Sequence, residues 1–418
     1  MPDLLDVYLN QYFVGQLQED KGKLSFAYDK AWLGSDQFIP LSVTMPRKEE
    51  PFPDEIARPF FENLLPEGEI RAAIAKLKQI SERNTFGLLG EIGGDCAGAI
   101  SLWPTGEKQL KNEGYAEISD ERLRELLSNM RTRPLLTADD ELRLSLAGVQ
   151  NKLPVYYDDA KLFLPKGGAP SSHILKPGSP GFAHLPVNEH FCMRLADALG
   201  LPVPDSKILR TPEPIYLASR YDRVKGRDGT LSRIHQIDFC QALNLLSTKK
   251  YEKEGGPNLQ ACFEVIAKYS AQPAKDRLHL ITWVIFNYLI GNADAHAKNL
   301  SLLITQEGIS LAPFYDLIST GIYPDLTLNL ALGIGGENRP DWIQKRHWET
   351  FSGLSGANPR IVWRRIAELS SAIVEKQRGI LAGLTLEKVE REMLGEVCSL
   401  TEKRAKRFAE LGKVRKRL

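Results

Sequence analysis

The sequence predicts an α+β fold in which a strand-rich part precedes a mainly α-helical part. Short apolar runs separated by polar turns, typical of strands, recur as far as about residue 225. From about residue 234, apolar residues recur at helical spacing over longer stretches. Polar side chains suited to binding phosphate and metal stand at the ends of elements in both parts.

Length and charge limit the classes of protein to consider. A chain of 418 residues is too long to form a single hydrophobic core, so more than one domain is expected. We expect an N-terminal subdomain at 1–130, a strand-rich part at 131–225 and a helical part at 226–418. The 54 basic and 53 acidic residues give a net charge of +1. This balance gives no global field that would favour nucleic acid or membranes.

The chain is expected to be cytoplasmic. It contains no apolar stretch long enough to span a membrane and begins without a signal-peptide pattern. Its five cysteines are scattered and form no C-x-x-C pair, which indicates reduced, mostly buried thiols.

The first 130 residues combine strands and helices without catalytic spacing. Strands are predicted at 4–9, 13–17, 23–28 and 99–103, and helices at 69–78 and 120–130. This part is interpreted as structural or partner-facing. Farther along, two strand-like runs within 142–155 flank a small-residue turn at Ala147 and Gly148. That turn is either an ordinary hairpin or a backbone nest for a phosphate.

A lysine at the end of an apolar strand is the next candidate. Lys176 closes the run at 173–176 and would be costly if it faced the core unpaired. In a nucleotide cleft it would neutralise phosphates. A helix follows at 186–199, with Asn188 as the predicted cap and Glu189 in the first turn. Glu189 either pairs with Lys176 or complements the helix dipole.

Strands at 206–210 and 214–219 lead to a segment that changes from apolar to charged near Ser219. This segment is interpreted as a hinge offering backbone groups to an adenine edge. Helices are predicted at 237–246, 258–269 and 274–290. The last one ends at Gly291, just before Asp294, and would support a catalytic loop rigidly.

The stretch 289–319 holds the main constellation. Asp294 and Asn299 have the spacing D-x4-N, and two apolar runs at 300–304 and 309–312 precede Asp316. Pairing of the runs would bring Asp316 back beside Asn299, and such oxygen ligands suit Mg²⁺. Alternatively, Asn and Asp simply favour turns.

The segment 318–338 is either a substrate-facing loop or packed core. Helices at 342–351, 359–377 and 386–411 follow. The basic tail at 413–417 is interpreted as a solvated end, and nucleic-acid contact is the alternative.

The order of these features is that of a two-lobed protein kinase: small-residue loop, lysine, helix glutamate, hinge, D-x4-N and aspartate. Several stretches also resemble the HipA family, serine/threonine kinase toxins of bacterial toxin–antitoxin modules. They are FFENLLPEGE, TFGLLGEIGGDCAGAI, LSLAGVQNKL, HILKP, NEHFCMRLADALGLPVPD, RYDR, QIDFCQALN, LIGNADAHAKNLSLL and LAPFYDLIS. The resemblance implies a bilobal protein-kinase-like fold with an N-terminal α+β subdomain and a mainly α-helical C-terminal lobe.

The resemblance also implies roles for matching residues. Asp294 would be the catalytic base, Asn299 and Asp316 the Mg²⁺ ligands, and Ser145 a site of inactivating autophosphorylation. The ATP-binding set would be Ala147, Gly148, Val149, Gln150, Lys152, Lys176, Ser219, Tyr221, Asp222, His296, Lys298 and Tyr315, with Glu189 as the partner of Lys176.

Two positions depart from the family pattern. Ser219 stands where a glutamate is common, which leaves backbone recognition of adenine intact but removes the same side-chain contact. Asn151 stands where an acidic residue often follows the glutamine.

The implied substrate is an aminoacyl-tRNA synthetase, with the glutamyl enzyme as first expectation. The implied partner is a HipB-like helix-turn-helix antitoxin, through which any contact with operator DNA would be mainly indirect. No membrane partner is expected.

Three other functions stay open: a small-molecule kinase on the same scaffold, a non-catalytic co-repressor subunit, and a metal hydrolase using Asp294 and His296. The intact set of Asp294, Asn299 and Asp316 argues against the co-repressor. A hydrolase would leave Lys176 and the hinge unexplained.

Overall fold

The structure is a computed structural model of the chain, and it describes residues 3–106, 114–132, 150–179, 181–211 and 213–413. The described residues form two compact units. Unit one draws them from Met1–Pro180, Leu209–Ser247 and Leu302–Ile309, and unit two from Gly181–Ile208, Thr248–Ser301 and Ser310–Leu418. The division predicted at residues 130 and 225 stays a prediction.

The first sheet of unit one is antiparallel and lies at the N-terminus. Its strands are β1 (Asp3–Leu9), β2 (Tyr12–Asp20), β3 (Lys23–Tyr28) and β4 (Ile100–Pro104), in the order β3-β2-β1-β4. The short helix α1 (Lys30–Leu33) follows β3. Alternate residues of β1 are buried, as a half-buried strand requires. All four strands were predicted from the sequence.

Three helices of this region are α2 (Asp54–Glu62), α3 (Gly68–Leu77) and α4 (Thr85–Ile92). The sequence predicted α3 but neither α2 nor α4. Pro59 lies inside α2, where it withdraws the hydrogen bond that the Glu55 carbonyl would accept. The Asn244 side-chain amide donates to that carbonyl at 2.8 Å, which explains why the helix continues through the proline.

A second sheet contains β5 (Gly114–Glu117), β6 (Leu153–Asp158), β7 (Lys161–Lys166), β8 (His173–Lys176), β9 (Ser206–Thr211) and β10 (Glu213–Ser219), in the order β5-β7-β6-β8-β10-β9. Helix α5 (Asp120–Thr132) contributes Leu123 and Leu126 to a core beneath this sheet. Val155, Leu175 and Leu217 belong to the same buried cluster. A small hairpin of β11 (Arg223–Lys225) and β12 (Leu231–Arg233) follows β10.

Two predicted helices of the central region start or end elsewhere. Helix α6 (Leu185–Ala198) begins three residues before Asn188, so the prediction that Asn188 caps it is wrong. His184 takes the cap position, and Pro186 fits the first turn because its missing N–H is not needed there. Strand β13 (His235–Asp238) occupies the start of the helix predicted at 237–246. The helix is therefore reduced to α7 (Phe239–Ala242).

Unit two is mainly helical. Its other helices are α8 (Leu259–Tyr269), α9 (Pro273–Ile290), α10 (Lys345–Leu354), α11 (Pro359–Gly383) and α12 (Lys388–Lys413), and all five were predicted. The hairpin β14 (Ser301–Thr305) and β15 (Gly308–Leu311) follows the central helix α9 in the chain. Most of this hairpin, Leu302–Ile309, belongs to unit one, where β14 also pairs with β13. Tyr288, Trp348 and Phe408 pack with ring centroids 4.9–5.6 Å apart.

Two expectations about the whole chain can be checked. Within the described ranges, no helix combines the length and apolar character needed to cross a membrane. All five cysteines are free thiols, and four of them are buried. Burial raises the pKa of the Cys262 thiol to about 12, which suits a packing role rather than reactivity.

Candidate active site

The candidate catalytic loop starts where α9 ends. Gly291 closes the helix in the left-handed region, with φ 77°. A Cβ atom there would lie 2.5 Å from Cδ2 of Leu400, so both conformation and packing favour glycine. The next residue, Asn292, accepts a hydrogen bond from the Asp294 N–H at 3.0 Å. The rigid end of α9 therefore fixes the backbone of Asp294.

The segments that carry Asp294 and Asp316 are joined directly. Asn292 Nδ2 donates to the Asp316 carbonyl at 3.3 Å. The Ala293 N–H donates to Thr320 Oγ1 at 2.7 Å, and the Gly321 N–H donates to the Gly291 carbonyl at 2.9 Å. These three bonds hold the two predicted catalytic segments side by side within unit two.

The hairpin between these segments returns the chain to its starting point, as pairing of its two apolar runs predicts. The Ala312 N–H donates to the Ser301 carbonyl at 2.8 Å. The Tyr315 hydroxyl donates to the Lys298 carbonyl at 2.6 Å and lies 2.8 Å from the Ser301 hydroxyl. The residue before Asp316 is thus anchored on the residue before Asn299.

The backbone of Asp316 is unusual. Its φ is 54°, in the left-handed region that non-glycine residues adopt at a cost of roughly 1–2 kcal/mol. Such conformations persist only where surrounding contacts hold them, and they concentrate at functional sites. One such contact is the hydrogen bond from the Asn292 amide to the Asp316 carbonyl.

The oxygen ligands offered by Asn299 and Asp316 fit a magnesium ion whose coordination would be completed by substrate phosphates. Among the described residues, no cluster of three or more His, Cys, Asp or Glu could hold a metal by itself. Asn299 Nδ2 faces the Asp294 carbonyl at 3.4 Å, which directs the opposite, Oδ1 side of the amide away from that carbonyl. One amide oxygen and the Asp316 carboxylate match the sparse protein ligation that Mg²⁺ adopts with nucleotides.

The Asp294 carboxylate has a partner that the sequence does not reveal. Asp294 is exposed, and its Oδ1 accepts a hydrogen bond from the Tyr251 hydroxyl at 2.6 Å. The two residues are 43 positions apart, and no spacing pattern connects them. Tyr251 is therefore a site residue that sequence reasoning missed.

The other predicted residues of the catalytic loop are buried. His296 and Lys298 are each 7% exposed. The His296 ring meets the Tyr251 ring edge-on at 5.1 Å. His296 precedes and Lys298 lies within a 3₁₀ turn, Ala297–Asn299, that leads into β14. Their positions agree with support of the loop, and their contact with ATP stays a prediction.

Asn188 joins helix α6 to the segment that follows Asp316. Its amide donates to the Ser319 carbonyl at 3.0 Å and accepts from the Ser319 N–H at 3.0 Å. Glu189, the next residue, is 1% exposed and lies beyond the first turn of α6. The reading of Glu189 as a first-turn complement to the helix dipole is therefore wrong, and its pairing with Lys176 stays a prediction.

Lys176 belongs to unit one, at the end of β8. It is 6% exposed and lies opposite Tyr216 in β10, with Nζ 5.6 Å from the centre of the tyrosine ring. The contact of Lys176 with ATP phosphates stays a prediction. The sequence predicted both the strand and the position of Lys176 at its end.

Ser219, the residue that departs from the family pattern, is bonded to a histidine. Its hydroxyl lies 3.2 Å from Nε2 of His173, whose Nδ1 lies 2.8 Å from the Ser172 hydroxyl. The Ser172 hydroxyl also accepts from the Tyr157 N–H at 2.9 Å. This chain of hydrogen bonds fixes the side chain at the predicted hinge.

The residues after Ser219 enter a buried ionic cluster. Asp222 accepts hydrogen bonds from Arg220 at 2.7 and 2.9 Å and from the Gly98 N–H at 3.0 Å. Arg223 lies 2.9 Å from the same carboxylate. Although burial opposes it, the two arginines hold the pKa of Asp222 well below its usual range. The Asp222 side chain thus helps to hold unit one together, and the Tyr221 hydroxyl forms a hydrogen bond to Gln236. Contact of either residue with ATP stays a prediction.

The predicted phosphate loop is only partly described. Ser145, Ala147, Gly148 and Val149 lie outside the described residues. Gln150 and Lys152 are half-buried and immediately precede β6. Their role as phosphate ligands stays a prediction.

Comparison with known proteins identifies the family. The HipA-like C-terminal domain matches residues 144–377, and the HipA N-terminal domain matches residues 5–103. The chain belongs to the HipA family. Because one family domain spans more than half of the chain and the other covers the first sheet, the HipA resemblance expected from the sequence is confirmed.

Two relatives resemble this chain over most of its length. Y4mE of Sinorhizobium fredii, named as a kinase, is 40% identical over 385 residues, covering 90% of this chain and 92% of the relative. The serine/threonine-protein kinase toxin HipA of Shewanella oneidensis is 34% identical over 359 residues, covering 81% and 80%. The predicted enzyme class, a serine/threonine kinase that uses ATP, is thereby supported.

A solved structure confirms the fold. A chain from the Shewanella oneidensis complex of HipA, HipB and operator DNA matches with a TM-score of 0.88 at 29% identity, covering 99% of this chain and 100% of that one. The predicted α+β, kinase-like fold of the HipA family is confirmed.

Proposed function

We propose that this chain is an ATP- and Mg²⁺-dependent serine/threonine protein kinase that acts as the toxin of a type II toxin–antitoxin module. The observation that carries the proposal is the joining of the Asp294 and Asp316 segments through Asn292, with Asn299 at the base of the same hairpin. This arrangement provides one exposed carboxylate for a proton and two oxygen ligands for a metal.

The proposed reaction is a single phosphoryl transfer. The oxygen of a serine or threonine hydroxyl forms a bond to the γ-phosphorus of ATP, and the bond from that phosphorus to the β–γ bridging oxygen breaks. ADP leaves with the bonding electron pair. Asp294 orients the hydroxyl and takes its proton, so charge does not build up on the attacking oxygen.

The remaining site residues would hold the nucleotide. Asn299 and Asp316 would bind Mg²⁺, and a magnesium ion there supplies charge neutralisation to the phosphates. Lys176 would act as a second positive charge on the phosphates, and Glu189 would hold that lysine in place. The backbone around Ser219 would recognise adenine, because the side chains of Tyr221 and Asp222 are bonded within unit one.

The proposed substrate is an aminoacyl-tRNA synthetase, with the glutamyl enzyme as first candidate. The proposed partner is a HipB-like antitoxin, and operator DNA would be reached mainly through it. The similarity to a chain from a complex of HipA, HipB and operator DNA supports the partner. Autophosphorylation of Ser145 would place a dianion in the phosphate loop, where it would repel ATP and inactivate the kinase.

The test is phosphate transfer from γ-³²P-labelled ATP to purified synthetases, followed by mapping of the phosphorylated residues. We expect one synthetase to be labelled on serine or threonine, and chelation of Mg²⁺ to abolish labelling. Asp294→Ala should remove transfer, and Asp205→Ala, at an exposed aspartate in a loop, should not.

The outcomes separate the competing functions. Label that appears only on a small metabolite would support the small-molecule kinase. If neither a protein nor a metabolite is labelled while the antitoxin still binds, the co-repressor would be supported. Equal labelling by Asp294→Ala would remove Asp294 from the mechanism.

A further inference from the structure

The Tyr251 hydroxyl forms the shortest described contact to the Asp294 carboxylate. The distance to Oδ1 is 2.6 Å, in the range of charge-assisted O–H···O⁻ hydrogen bonds. A carboxylate offers two oxygens and about four lone-pair directions, so a single donor leaves room for an acceptor hydroxyl. The contact is thus compatible with catalysis and restricts rotation of the carboxylate.

The Tyr251 ring is held from several directions. Lys250 Nζ and Lys253 Nζ lie 5.5 and 5.7 Å from the ring centre, and the His296 ring meets it edge-on. Cations at such distances are attracted by the negative face of an aromatic ring.

The backbone on either side of Tyr251 is tied to the catalytic loop. The Lys250 carbonyl accepts from the Ala297 N–H at 3.3 Å. The Glu252 N–H donates to the Ala331 carbonyl at 3.2 Å, and the Ala331 N–H donates to the Ala293 carbonyl at 3.0 Å. Tyr251 is therefore held against the catalytic loop through the backbone on both of its sides. This favours a fixed supporting role over one in which an arriving substrate displaces the tyrosine.

We propose that Tyr251 is a positioning residue that holds the Asp294 carboxylate in the orientation needed to accept the substrate's proton. The inference rests on the proposed role of Asp294 as the base. Tyr251 keeps its own proton throughout: its hydroxyl occupies Oδ1, and the acceptor hydroxyl approaches the remaining lone pairs. No bond to Tyr251 forms or breaks.

The decisive variant is Tyr251→Phe, which keeps the ring and removes the donor. Transfer from ATP to myelin basic protein, used as a general serine and threonine acceptor, should lose about 10- to 100-fold in kcat, the scale expected for a misdirected catalytic group. The KM for ATP and the melting temperature should not change. Tyr269→Phe, at the end of α8 beside Lys268, should behave like the wild type.

A conservative replacement and a structure complete the test. Replacing Tyr251 by p-aminophenylalanine restores a donor at the same place and should recover most of the kcat. A crystal structure of Tyr251→Phe should show the Asp294 carboxylate in a different rotamer, a readout that needs no activity.

The results separate this inference from the proposed function. If Asp294→Asn transfers phosphate as well as the wild type, the proposed base is wrong and Tyr251 has nothing to position. A different result overturns only the positioning role of Tyr251: Asp294→Asn is inactive, but Tyr251→Phe keeps the full kcat or keeps the Asp294 carboxylate in its original rotamer.

Discussion

Asn188 and Ser319 form a reciprocal pair in the interior of unit two. The Asn188 amide donates to the Ser319 carbonyl and accepts from the Ser319 N–H, each at 3.0 Å, and both residues are completely buried. Asn188 Nδ2 also reaches the Tyr323 hydroxyl at 3.2 Å. One side chain thus satisfies the backbone three residues after Asp316 and fixes helix α6 against it.

Replacing Asn188 by leucine should destabilise the protein and reduce phosphate transfer. The change leaves a buried N–H and a buried carbonyl of Ser319 without their partner, at an expected cost of about 2–4 kcal/mol in the free energy of unfolding. Urea denaturation monitored by fluorescence measures this cost. At concentrations where the variant stays folded, its kcat should still fall, because Asp316 is less well placed.

The control is Asp197→Ala on the same helix, where the side chain is exposed. It should change neither the unfolding midpoint nor kcat. Wild-type kcat in a folded Asn188→Leu protein would show that the pair serves stability alone.

Gly291→Ala should destabilise unit two strongly. An alanine in the left-handed region costs roughly 1–2 kcal/mol. Its Cβ would also approach Cδ2 of Leu400 to 2.5 Å, so Leu400 must shift, and overpacking typically costs about 1–3 kcal/mol. The expected total is about 2–5 kcal/mol, measured as a lower denaturation midpoint.

Gly379→Ala is the matched control. Gly379 lies inside helix α11, and a Cβ there would meet nothing within 4 Å. Alanine is the better helix former, so this variant should gain up to about 1 kcal/mol. Equal stability of the two variants would contradict the role assigned to Gly291.

Sequence patterns predicted the elements that follow from local periodicity. They missed the features that depend on contacts between residues far apart in the chain. The hairpin between Asn299 and Asp316 followed from two apolar runs and a turn. Helix α2 was not predicted because it contains a proline. The donor that compensates for this proline, Asn244, lies 189 residues from Glu55. The same limit applies to Tyr251, whose link to Asp294 exists only once both loops are folded.

Asn188 has a structural role near the start of helix α6, but the role predicted from the sequence, capping of that helix, is wrong. Its type and position near a helix start suggested a cap, since asparagine is favoured there. The helix instead begins at Leu185, and the amide serves a tertiary contact with the backbone of Ser319. No single-sequence rule distinguishes these two uses of the same side chain.

Asp222→Asn should destabilise unit one. Asp222 is 2% exposed and neutralises Arg220 and Arg223, so removing its charge leaves buried guanidinium groups undercompensated. Breaking a buried pair in this way typically costs about 3–5 kcal/mol. Denaturation in guanidinium chloride should show the loss, while ATP affinity of the folded fraction should stay near the wild-type value.

Asp228→Asn is the control because this aspartate is exposed in the loop between β11 and β12. It should leave the denaturation midpoint almost unchanged. A large loss of ATP affinity in a stable Asp222→Asn protein would instead support direct contact between Asp222 and the nucleotide.

His235 should make the protein less stable as the pH falls below neutrality. It is 2% exposed, and burial lowers its pKa from 6.5 to about 4, although its Nε2 donates to the Leu41 carbonyl at 2.7 Å. Between these two pKa values the unfolded chain binds a proton that the folded chain excludes. The contribution of His235 to the free energy of unfolding is therefore fully present above pH 6.5 and is lost as the pH falls towards 4.

The expected loss from His235 is about 2 kcal/mol between pH 7 and pH 5. Urea denaturation at a series of pH values measures it. His235→Gln keeps a donor but cannot be protonated, so its stability should vary less with pH. His190, whose pKa burial also lowers to about 4, should contribute a second, separable part that His190→Gln removes. An unchanged pH dependence in the double variant would contradict the assignment, because both buried groups would then be absent without effect.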